Sequence, residues 1–125
     1  MSDTKKVLLV IEDELPQRKA LCEKFGNEGF ATLEAQNGEE GLEMALKEKP
    51  SVIVLDVFMP RLNGIEMAHK LRQDEWGKDV PVIILSNMSD MERVQQAMEE
   101  GIFNYYVKSD TPIDSIVEKV KEFTN

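Results

Sequence analysis

A chain of 125 residues, 42% hydrophobic and 31% charged with a net charge of −9, has the size and balance of one globular domain with its own core. No apolar run reaches the ~20 residues of a membrane span, and nothing resembles a basic stripe for tracking phosphates; neither a bilayer nor direct nucleic-acid binding is expected. One cysteine, Cys22, excludes an internal disulfide, and a start without a signal-peptide layout adds to the expectation of a reducing cytoplasm.

Five apolar runs alternate with helical patterns. Residues 7–11 form the first expected strand. Over residues 15–28, Leu15, Leu21, Cys22 and Phe25 fall at helical spacing, with Pro16 tolerated in the first turn. Residues 30–34 alternate more than the other runs, which suits a half-exposed edge strand. Asn37 followed by Glu40 opens a helix carrying Leu42, Ala45 and Leu46 to about Lys49.

The third run, residues 51–56, is β-branched and aliphatic until it stops at Asp56, as a strand buried on both faces would. After the loop that follows, Asn63-Gly64-Ile65-Glu66 begins a helix that buries Ile65, Ala68 and Leu71. Residues 81–85 are the fourth strand, ending at Ser86. Ser89 with Glu92 starts a helix lined by Met91, Val94 and Met98 and stopped by Gly101. Residues 105–107 are a short fifth strand ending at Lys108. Thr111-Pro112 then caps a last helix with Ile113, Ile116, Val117 and Val120 on one side.

Regular alternation of strands and helices predicts an α/β fold, a doubly wound parallel sheet with helices on both faces. Such sheets place their sites at the carboxyl ends of the strands. Four runs end there in polar groups: Glu12-Asp13-Glu14, Asp56, Ser86 and Lys108. Taken singly, Glu14 is an ordinary solvated loop residue, Ser86 a turn residue and Lys108 a surface charge. Their convergence at one edge is the functional signal.

Glu12, Asp13 and Asp56 held close together repel unless a cation or proton neutralises them. Oxygen donors without histidine or thiolate favour a hard ion, with Mg²⁺ the obvious choice. An aspartate beside Mg²⁺ can serve as a nucleophile and form an aspartyl phosphate. Lys108 would balance the phosphoryl charge and Ser86 would donate a hydrogen bond to it. The set reads as phosphoryl transfer by positioning and charge compensation.

With these residues in place, the chain resembles a two-component response-regulator receiver domain over essentially its whole length. The family's acidic pair matches Glu12-Asp13. Its phosphoacceptor and following loop match Asp56 and Met59-Pro60-Arg61-Leu62-Asn63-Gly64. Its serine or threonine matches Ser86, its lysine Lys108 and its switch aromatic Tyr105. The resemblance implies a flavodoxin-like sheet of five parallel strands in order 2-1-3-4-5 with five helices. It also implies a single unit, residues 1–125, with no output domain.

The resemblance further implies that Asp56 accepts a phosphoryl group from a sensor histidine kinase or phosphotransfer protein. Asp13, Asp56 and the backbone carbonyl of Phe58 would coordinate Mg²⁺, with Glu12 acting through water. Ser86 and Lys108 would grip the phosphoryl group, and Tyr105 would rotate inward. The face of the fourth helix, fifth strand and fifth helix would then change its preference for a downstream protein, as a monomer or a phosphorylation-dependent dimer. Phe58 and Met88 occupy the family's dephosphorylation-rate positions; bulky and apolar, they are expected to hinder the attacking water and prolong the phosphorylated state.

Two departures from the family pattern stand out. Glu12 replaces the commoner aspartate, and one more methylene still reaches a metal-bound water. Ser109 follows Lys108 where proline is usual, so a trans Lys108–Ser109 peptide is expected, since cis before a non-proline costs ~3 kcal/mol. A Mg²⁺-dependent aspartyl-phosphate phosphatase is disfavoured because no second aspartate stands two residues after Asp56. A flavin module would need a phosphate loop where Glu12-Asp13-Glu14 repels phosphate, and a docking module indifferent to phosphorylation would not need the acidic, serine and lysine set. His69 is expected at the surface, Cys22 in the core, Trp76 as a lid over a helix end, and Tyr106 in a structural role.

Overall fold

The structure, a computed structural model, describes residues 5–56, 64–86, 99, 104–107 and 111–124, with Asp56, Ile65 and Ser86 described by backbone position. In chain order these form β1 (Val7–Ile11), α1 (Leu15–Asn27), β2 (Ala31–Ala35), α2 (Gly38–Glu48), β3 (Val52–Asp56), α3 (Gly64–Arg72), β4 (Val82–Ser86), β5 (Asn104–Val107) and α4 (Ile113–Thr124). The strands pair in parallel in the order β2-β1-β3-β4-β5, as expected. Four helices lie among the described residues where five are expected. The segment expected to supply the other, residues 89–101, lies outside them except for Glu99, which is helical.

Successive strand residues point to opposite faces, and the central strands are apolar at every position before Asp56 and Ser86, so the sheet carries a core on each side. On one side Leu9, Ile11, Ile53, Leu55 and Ile84 meet Ala45 of α2 and Met67, Ala68 and Leu71 of α3. On the other Leu8, Val10, Val54, Ile83 and Leu85 meet Cys22 and Phe25 of α1 and Ile116, Val117 and Val120 of α4. Each leucine, isoleucine, valine, methionine or phenylalanine among them contributes roughly 1.5–3 kcal/mol by leaving water. β2, at the edge, is half-buried over most of its length, which explains its more polar alternation.

Three expectations shift in detail. Phe30 does not begin β2; it is buried just before it, donating its amide to the Phe25 carbonyl and standing edge-on to the Phe25 ring at 5.9 Å. An aromatic before a strand is better used here to close the end of α1. Leu15 and Ile113, expected on apolar helix faces, are exposed. Both stand in the first turns of their helices, α1 and α4. Trp76, expected as a lid, packs half-buried against the α2/α3 core, its amide and that of Gly77 held by Asp74 Oδ2. His69 is exposed and Cys22 buried, as expected. The Lys108–Ser109 peptide lies outside the described residues.

Local chemistry sets the helix ends. Asn37 Oδ1 accepts the Glu40 amide at 2.8 Å while Glu40 Oε1 accepts the Gln36 amide at 3.1 Å, a reciprocal cap that starts α2. α1 is tied to its neighbours by charge. Glu34 of β2 receives Arg18 Nε at 3.0 Å and Lys19 Nζ at 2.8 Å. Lys24 pairs with Asp114 and Lys121 with Glu28, both at 2.8 Å, joining α1 to α4.

α2 lies close to β1 because Gly41 has no side chain; a Cβ there would fall on the Cδ1 and Cγ1 of buried Ile11, 2.8 Å from the latter. Gly41→Ala should therefore destabilise the fold by about 1–3 kcal/mol by overpacking, read as a lower urea midpoint with an unchanged slope. The Lys19 and Arg18 hydrogen bonds hold the Glu34 carboxyl below its usual range. A depressed carboxylate contributes stability above its unfolded pKa and loses it as pH falls through the folded one. Glu34→Gln should thus be less stable than the unaltered chain at neutral pH, with the gap closing as pH drops below about 4.5, measured by urea midpoints across that range.

Candidate functional site

The site is built from the point at which β1 stops being a strand. Its ladder with β3 runs from Leu8 opposite Val52 to Ile11 opposite Leu55. One step further brings Glu12 level with Asp56, and Asp56 stands opposite Leu85, the residue before Ser86, in β4. Ser86 stands opposite Val107, the last residue of β5. The parallel register thus brings the backbones of Glu12, Asp56 and Ser86 to one edge on three adjacent strands. Lys108, Phe58 and Met88 lie outside the described residues.

Glu12 is 1% exposed, an unusual place for a carboxylate, since burying a charge is costly without partners. Its backbone is tethered at both ends: the amide donates to Ala35 O at 3.0 Å, and the carbonyl accepts Arg18 Nη1 at 2.9 Å. Its Oε2 accepts the Glu14 amide at 3.3 Å. Asp13 and Glu14 are exposed. Glu14 stands at the N-cap of α1, its side chain accepting from Gln17 at 2.6 Å, in keeping with the solvated role expected for it. A buried carboxylate beside an accessible one, with no histidine or thiolate in the expected set, is a donor chemistry that fits a hard cation. Among the described residues alone no three acidic, histidine or cysteine side chains form a metal-holding group. The expected third carboxylate is that of Asp56.

The two adjacent tyrosines of β5 divide between the faces. Tyr105, opposite Ile84, packs partly buried against the α2/α3 core, and Tyr106, opposite Leu85, against the α1/α4 core. Tyr106 therefore has the structural place expected for it. Away from the edge, burial and then the charge of Glu34 push the Cys22 thiol pKa up, which leaves it an inert core residue.

Sequence reasoning passed over Arg18. Its side chain is only 13% exposed, and it links the residue before Asp13 to Glu34 on the neighbouring strand. The signal was present as a basic pair, Arg18-Lys19, one turn into the helix that follows three consecutive acids.

The model of the response regulator receiver domain matches residues 8–121. The chain is 32% identical over 107 residues to the phosphate regulon transcriptional regulatory protein PhoB of Pseudomonas aeruginosa, covering 86% of this chain and 47% of that one. It is 29% identical over 116 residues to sporulation initiation phosphotransferase F of Bacillus subtilis, covering 93% and 91%. The chain thus spans about half the length of several curated relatives and most of another. Among solved structures, the receiver domain of Francisella response regulator 1452 superposes with a TM-score of 0.86 at 29% identity, covering 96% of this chain and 97% of that one. The chemotaxis response regulator CheY4 of Vibrio cholerae shares the fold, with a TM-score of 0.86 at 23% identity and coverage of 96% and 99%. By the extent of these matches and the sheet order beneath them, the chain belongs to the response regulator receiver domain family.

Proposed function

We propose that this chain accepts a phosphoryl group on Asp56 from the phosphohistidine of a sensor histidine kinase or phosphotransfer protein. Receiver domains are phosphorylation-dependent signalling switches rather than conventional enzymes. The observation that carries the reading is the register placing Glu12, Asp56 and Ser86 together at the carboxyl edge.

In the proposed step an Asp56 carboxylate oxygen attacks phosphorus, the phosphorus–nitrogen bond of the donor breaks, and the departing imidazole nitrogen takes up a proton. Asp13, Asp56 and the Phe58 carbonyl would hold Mg²⁺ directly and Glu12 through water. When bound, the ion offsets carboxylate repulsion and the charge developing on the phosphoryl oxygens. The Lys108 ammonium balances the added charge, and the Ser86 hydroxyl donates to a phosphoryl oxygen. Tyr105, half-buried in β5, turns inward in response. The surface formed by residues 89–101, β5 and α4 then changes its affinity for a downstream protein, a two-state element biased by local charge. Phosphatase chemistry remains disfavoured because Phe58, two residues after Asp56, has no proton to give.

With Mg²⁺ and a small-molecule phosphodonor, the unaltered chain should gain one acid-labile phosphoryl group, located by mass spectrometry on Asp56. Asp56→Asn should abolish the label, and labelling that persists in that variant refutes the assignment. Replacing Phe58 and Met88 together by small polar residues should open the path of the attacking water. Phosphoryl decay should then be faster than in the unaltered chain; an equal rate would sink the idea that their bulk sets the lifetime.

A further inference from the structure

We propose that Arg18 is a positioning residue for the acidic loop. Its guanidinium fixes the peptide between Glu12 and Asp13 in the orientation that metal binding uses, a role that rests on the Mg²⁺ assignment above. From α1 the side chain extends two arms. Nη1 donates to the Glu12 carbonyl at 2.9 Å, and Nε donates to Glu34 Oε1 at 3.0 Å on β2. Glu34 is held from its other oxygen by Lys19 Nζ at 2.8 Å.

The Glu12 carbonyl and the Asp13 amide share one rigid peptide plane. Turning that carbonyl turns the start of Asp13 with it. The Glu12 amide is already fixed to Ala35 O and its carboxylate to the Glu14 amide. The tilt of this plane is met by the largely buried Arg18, through its hydrogen bond to the carbonyl. Lysine could not substitute, since a single ammonium lacks the planar fork that meets a carbonyl on one strand end and a carboxylate on the next strand.

Charge alone argues for the opposite effect. A cation beside a divalent-metal site repels the metal, so an arginine acting only through its charge would weaken Mg²⁺ binding, and its removal would tighten it. Glu34 offsets much of that repulsion by pairing with the guanidinium. The positioning role therefore predicts a change of opposite sign to the electrostatic one. A role confined to fold stability would change neither.

The test is calorimetric titration of the full chain with Mg²⁺ alone, for the unaltered protein and for Arg18→Lys, Arg18→Gln and Glu34→Gln, with thermal melts in parallel. Loss of a group that orients a metal ligand weakens binding by roughly ten-fold or more. Both Arg18 variants should show such a loss while folded, and Glu34→Gln a smaller one. Affinity unchanged or raised in Arg18→Lys and Arg18→Gln overturns the proposal, whatever their melting temperatures. If Arg18→Gln does not fold, Arg18→Lys, which keeps the charge and removes the fork, decides by the same criterion. A blank titration of the unaltered chain overturns the metal assignment and this role with it, and is distinct from a loss confined to the variants.

Discussion

The parallel pairing of β1 with β3 is the constraint on which the rest depends. Two strands that are apolar at every position before Asp56 can be buried only in the middle of a sheet covered on both faces. Once Leu9 is opposite Ile53 and Ile11 opposite Leu55, the residues that follow have no freedom in where they emerge. A one-residue slip would invert which side chains face which core. Hydrophobic burial thus does more than stabilise the domain; it sets the spacing of carboxylates that would separate in an unfolded chain.

That coupling has an electrostatic cost. Glu12 is carried below the surface by the same register that brings it level with Asp56. The chain answers with fixed donors, the Glu14 amide to the carboxylate and Arg18 to the carbonyl. Charge-assisted and backbone hydrogen bonds of this kind hold a polar edge in place where packing cannot. The family's use of a metal at such an edge follows the same logic, since a cation completes what hydrogen bonds leave unbalanced.

Most of the fold was legible in the sequence because its signals were local and periodic. Val52, Ile53, Val54 and Leu55 declare a doubly buried strand by composition, and Asn37 with Glu40 declares a helix start by capping. The misplaced details are those where a residue's use depends on a neighbour outside its own apolar run or on position in the sheet. Phe30 has the composition of a strand residue, yet its amide and ring are taken by Phe25. Leu15 and Ile113 have helical spacing, but spacing does not say which turn of a helix is covered. The candidate site was legible as residue types at strand ends. The ties that hold it were not, because Arg18 reaches Glu34 across sixteen residues and nothing in either local pattern names the other.

Arg18 also changes how α1 is understood. A helix following an acidic loop would ordinarily contribute its amino-terminal dipole, which suits anions. Here the helix also returns a guanidinium to the end of the strand that precedes it, and the pairing of that group with Glu34 locks the loop to β2. β2 is an edge strand, half-buried over most of its length, with a neighbouring strand on one side only. Through Glu34 and the Ala35 carbonyl it acquires two hydrogen-bonded links to the acidic loop, one direct and one through Arg18. The strand farthest from β5 thus takes part in holding the acidic loop at the carboxyl end of β1.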